Sequence, residues 1–130
     1  MMRRTFQSMT LTLAAACVVQ AESSDWLQFR GPAASSLRSS AEVPIEFDGK
    51  SGKNIAWRSE IPGRSAAGAI VVGDLVVSTS STGMDQRRIL VTANDKEKGN
   101  IVWQQNIVAR GRPFCHPFSS KAAPTPASDG

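Results

Sequence analysis

One histidine, two cysteines and a weak net charge leave few routes to chemistry in this chain of 130 residues. His116 has no second imidazole to join it in a metal site or a proton relay. Cys17 and Cys115 lie far apart, and Cys17 falls in a segment expected to be removed. Cys115 then stands alone, without an internal disulfide partner and without metal-site spacing. In an oxidising compartment it reads as buried and inert, or as a point of intermolecular pairing. The formal charge is +4. Loss of Arg3 and Arg4 lowers the basic count from 15 to 13 against 11 acids, a net +2. That bias is too small and too scattered for a nucleic-acid surface, since Arg87-Arg88 is the only adjacent basic pair after the N-terminus. Beyond the N-terminal segment no apolar run approaches the roughly 18 residues of a spanning helix, and no amphipathic helical period is found. At 41% hydrophobic and 20% charged, the composition is that of an ordinary globular chain.

The N-terminus reads as a secretory leader over 1–21. Arg3 and Arg4 supply a positive start, Leu11 to Val19 an apolar stretch, and Val19-Gln20-Ala21 a cleavage site ending at Ala21. Polar Glu22-Ser23-Ser24-Asp25 follows at once. Ala14-Ala15-Ala16-Cys17 offers Cys17 as a lipidation candidate, and Arg3-Arg4-Thr5-Phe6 is a partial twin-arginine signal. The expected location is therefore periplasmic or secreted.

Residues 22–53 read as an N-terminal extension and loop, with Trp26 and Phe29 as apolar anchors around a Gly31-Pro32 turn. Val43-Pro44-Ile45 starts a short extended piece. From Asn54 the pattern becomes regular. Asn54 to Ile61 alternates, placing Ile55, Trp57, Ser59 and Ile61 on one face, as in a half-buried strand. Ala69-Ile70-Val71-Val72 and Leu75 to Ser80 are β-branched runs joined by Gly73-Asp74, the signature of a tight hairpin. Ile89 to Ala93 and Ile101 to Ile107 are further strands, separated by a turn over Asn94 to Gly99. Short strands at short spacing predict an all-β sandwich, barrel or propeller. An internal echo favours a repeat: Ala66 to Asp74 is matched 56 residues on by Ala122 to Gly130, each a small pair followed by an Asp/Gly turn.

Ala93-Asn94-Asp95-Lys96-Glu97-Lys98-Gly99-Asn100-Ile101-Val102-Trp103 resembles the tryptophan-docking repeat of quinoprotein-like β-propellers, Ala-x-Asp-x-x-x-Gly-x-x-x-Trp. Ala93, Asp95, Gly99 and Trp103 carry the match; Lys98 stands where the family has threonine. Asp95 and Gly99 would shape the hairpin turn, and Trp103 would stack between blades. The Asp25 to Pro32 stretch, Asn54 to Arg58, Ile61 to Arg64, Phe114 to Pro117 and Ala123 to Gly130 resemble the planctomycete-type PQQ-binding-like repeat proteins. The resemblance implies an all-β, quinoprotein-like propeller over 54–130. It would be incomplete, because 109 residues after the leader supply about two blades where closed rings take about four to eight. The chain is accordingly expected to be a fragment or truncated product.

No catalytic set accompanies this pattern. His116 sits in a loop beside Cys115 and Pro117. Ser65, Ser119 and Ser120 lack an elbow motif, and Gly31-Pro32 and Gly63-Arg64 open no phosphate-binding helix. Asp25, Glu42, Glu46, Asp48 and Glu60 show no pairing, and Trp26, Trp57 and Trp103 read as packing residues. No catalytic, cofactor-binding or metal residue is assigned, and PQQ follows only from the family's name. The expectation is an exported propeller-type binding or scaffold module, without catalysis by this segment. Its partner would be an unidentified protein or the remaining blades. The alternatives are the N-terminal part of a PQQ-dependent oxidoreductase and a lipoprotein of envelope assembly.

Overall fold

The computed structural model describes residues 25–37, 43–111 and 114–130. Residues 1–21, expected to be a leader and including Cys17 and Ala21, lie outside the described residues, as does Glu42. The fold is all-β. Four strands, β1 (Ile70–Val72), β2 (Leu75–Thr82), β3 (Arg88–Asp95) and β4 (Ile101–Val108), form one antiparallel sheet in sequential order. The only helical element among the described residues is a 3₁₀ turn at Pro32–Ala34. No described helix is long and apolar enough to cross a membrane.

Each strand follows from its side chains. Ile70-Val71-Val72 and Leu75-Val76-Val77 are β-branched or aliphatic runs that fit a pleated surface. Gly73, at φ 56°, provides the positive φ their two-residue turn requires. Cross-strand partners share a face, and the register pairs Ile70 with Val77 and Val77 with Ala93. These three form the buried core, with Val72, Leu75 and Val91 packed against it. The opposite face carries Ser78, Ser80, Thr92 and Asn94, with Ser80, Thr92 and Asn94 buried. A polar face is tolerable inside because its groups are bonded. The Ser80 hydroxyl donates to Pro62 O at 2.7 Å, the Asn94 amide to Ser59 Oγ at 2.8 Å, and the Gln104 amide to Thr92 Oγ1 at 2.9 Å.

Several expectations are corrected. Asn54 to Ile61 belongs to no strand, and Asn54 itself is a turn residue at φ 56°. The segment's alternation survives as far as Glu60, with Ile55, Trp57 and Ser59 half-buried and Ala56, Arg58 and Glu60 exposed, because it lies across the polar face of the sheet rather than beside an edge, but Ile61, expected on the covered side, is exposed. Val43-Pro44-Ile45 likewise forms no strand. Phe29 is no anchor, at 67% exposed; the N-terminal segment is held instead by Trp26, which exchanges both backbone bonds with Val71 at 2.8 and 3.0 Å, and by its neighbours, Asp25 Oδ1 accepting Gly73 N and Leu27 O accepting Ser128 N, each at 2.9 Å. Asn94 and Asp95 close β3 instead of opening the turn. Downstream of Gly63, whose φ of 90° fits it against Ser81, Arg64 exchanges two backbone bonds with Ser81 (2.9 and 2.8 Å). Arg64 and β1 thus share one edge of β2, with the chain between them looped out.

Candidate functional site

Asp95 and Gly99 lie at one end of the sheet, in the turn between β3 and β4. Asp95 Oδ1 accepts the amides of Glu97 (3.0 Å) and Lys98 (2.6 Å), while Asp95 O accepts Gly99 N at 2.9 Å. This turn is self-contained without a threonine at Lys98, since the carboxylate and main chain supply the bonds. Gly99 is buried at φ 74°, and a methyl group there would meet the Trp57 ring at 2.5 Å. The Trp57 indole N–H donates to Lys96 O at 2.8 Å. The tryptophan seated on Gly99 is Trp57. Trp103 pairs with Ala93 on β4 and stays 38% exposed. Trp26 repeats the arrangement over Gly31, where a methyl would lie 2.5 Å from its ring. The β1–β2 turn joins the same end: Lys96 N donates to Asp74 O and Lys96 Nζ to Gly73 O, and Gly73 N donates to Asp25 Oδ1.

The other end of the sheet is open. A groove of 680 Å³ runs between the β2–β3 loop and the segment from Phe114 to Lys121. Its lining includes Asp85, Gln86, Arg87, Cys115 and Lys121, and an adjoining hollow adds His116, Ser119 and Ser120. Cys115 is half-buried on this groove rather than enclosed. His116 is exposed, with Nδ1 accepting Phe118 N at 3.3 Å and its ring tilted against Phe118. Beneath the groove, the Ser120 and Ser81 hydroxyls lie 2.8 Å apart. Ser81 also reaches Gln86 Oε1 at 2.8 Å, and Ser120 reaches Arg64 O at 2.8 Å. Lys121 Nζ donates to Asp85 O, and Arg64 Nη1 donates to Pro117 O at 2.6 Å.

This arrangement is a clasp. Neither serine has a histidine or carboxylate among its hydrogen-bond partners in the described residues, so no general base is in place to activate a hydroxyl. No three His, Cys, Asp or Glu side chains of the described residues gather as metal ligands. Trp26 and Trp57 lie flat on glycines, and the Trp57 N–H is spent on Lys96 O. Two acidic residues are engaged locally: Asp48 accepts the backbone amides of Lys50 (2.9 Å) and Ser51 (3.0 Å), and Glu46 pairs with the Lys53 ammonium at 2.5 Å. The Asp48 carboxyl titrates below the usual aspartate range because the Ser51 side chain and the Lys50 and Ser51 amides bond its charged form. Sequence reasoning missed the Ser81–Ser120 clasp, whose partners are 39 residues apart.

No protein-family model, no curated protein and no solved structure matches the chain.

The remaining feature is β4. All eight residues are exposed, and among the described residues no further strand covers its outer edge. Ile101, Val102, Trp103, Ile107 and Val108 present apolar surface there. An edge of this kind offers unpaired N–H and C=O groups to another strand.

Proposed function

We propose that the chain is an exported, propeller-type binding or scaffold module of the quinoprotein-like repeat family, with no catalysis by this segment. The observation that carries the reading is the sequential four-strand antiparallel sheet, the unit a propeller repeats, ending in an exposed apolar strand. The Asp95–Gly99 turn with an indole seated on its glycine supports the family reading. The leader pattern over 1–21 supports export to the periplasm or beyond. Work is done by surfaces: β4 and the groove at the β2–β3 loop are the faces a partner would meet.

Titration of the full chain with PQQ and calcium tests the reading against an oxidoreductase role. A scaffold gives no saturable change in the quinone spectrum. Saturable binding with a spectral shift would overturn the scaffold reading in favour of a cofactor-binding one.

A further inference from the structure

We infer that β4 is a self-association edge, at which a second copy of this chain pairs antiparallel about a two-fold axis through Gln105. The inference stands on the geometry of this strand and not on the proposed function.

The hydrogen-bond phase comes first. Ser81 gives both backbone bonds to Arg64, so it faces away from β3. Its cross-strand partner Ile89 therefore faces β4 and its partner Ile107. Trp103, Gln105 and Ile107 are thus the β4 residues bonded to β3, consistent with Ala109 N donating to Arg87 O at 2.8 Å. Gln104, Asn106 and Val108 aim their N–H and C=O groups outward.

The sequence then selects a register. A two-fold axis at Gln105 sets Gln104 against Asn106, both outward-facing, as an edge-to-edge ladder requires. On the apolar face it sets Trp103 against Ile107, and these side chains are 38% and 56% exposed in the single chain. Every cross-strand pair is apolar–apolar or amide–amide, because Ile101–Val108 contains no charged residue. Self-pairing meets no like-charge repulsion. The devices that protect edges, lysine and proline, are absent from the strand. Assembly stops at two copies because the opposite edge of the sheet is taken: Val71 of β1 already exchanges both bonds with Trp26. The product is one continuous eight-stranded sheet, two sets of four.

Sedimentation velocity of the full chain over roughly 1–100 µM tests this. A monomer–dimer equilibrium is expected, and Gln105→Lys, which faces two ammonium groups across the axis, weakens it at least tenfold while far-UV circular dichroism is unchanged. A monomer throughout, species larger than a dimer, or a dimer indifferent to Gln105→Lys would overturn the proposal. A covalent readout is independent of that variant. In a background with both native cysteines replaced (Cys17→Ser and Cys115→Ser), Gln105→Cys forms a disulfide dimer under mild oxidation, since opposed residues of a non-hydrogen-bonded pair lie about 4.5 Å apart at Cα. Lys98→Cys, on the exposed β3–β4 turn, does not. Equal crosslinking at both positions, or none at Gln105→Cys, would also overturn it.

Discussion

At Gly99 a methyl group has no room. It would lie 2.5 Å from the Trp57 ring, on a backbone held at φ 74°. Both effects act against Gly99→Ala, which is expected to destabilise the fold by about 2–3 kcal/mol. Gly73→Ala, with open space around it, costs only the backbone term, about 1 kcal/mol. Urea unfolding of the two variants measures the difference. Asp95→Ala removes the acceptor of two turn amides and is expected to cost about 1 kcal/mol by the same measurement. Asp48 supplies a pH dependence. Its carboxylate is held charged by Ser51 and by the Lys50 and Ser51 amides, so its folded value lies below the unfolded one. The stability it confers is complete above the ordinary aspartate value of about 3.9 and is lost as pH falls through the lower folded value. Amide shifts of Lys50 and Ser51 followed by NMR should therefore titrate below that value, and a midpoint above it would contradict the bonding described.

Among the elements, β1 to β4 were legible because each combines β-branched residues with unmistakable turn chemistry, Gly73-Asp74 in one case and Asp95 with Gly99 in the other. The period-2 pattern at Asn54 to Ile61 was equally clear, yet alternation reports only that one side of an extended chain is covered. It does not distinguish an edge partner from a sheet face, and here the cover is the polar face at Ser80 and Asn94. The motif's geometry was legible at Asp95 and Gly99, while the tryptophan that seats on Gly99 comes from 42 residues earlier, beyond the reach of local spacing. The Ser81–Ser120 clasp joins two short polar segments with no pattern of their own. Ser120→Ala leaves Ser81 and Arg64 O short of a partner at a buried site. It is expected to cost about 1–3 kcal/mol and to speed exchange of the Lys121 and Ala122 amides, read by hydrogen–deuterium exchange.

For the molecule as a whole, the enclosed apolar core is small: Ile70, Val77, Ala93 and Ala122 are the buried hydrophobic residues described. Around it stand an exposed strand, a clasped groove and two glycine-seated tryptophans. Such a sheet gains from any partner that extends it, because binding only the folded state stabilises that state by mass action. Export is tested at this scale by the intact mass of the product secreted from a bacterial host. Cleavage after Ala21 leaves a chain starting at Glu22, whereas acylated Cys17 would mark a lipoprotein and an uncleaved leader would contradict export. The central claim, that this is a β-sheet module built to dock through its edge, is tested most directly by urea unfolding of the full chain, followed by far-UV circular dichroism at two protein concentrations about a hundredfold apart. The account predicts one cooperative β-sheet transition whose midpoint rises with concentration. A non-cooperative trace, or a midpoint that does not move, would contradict it.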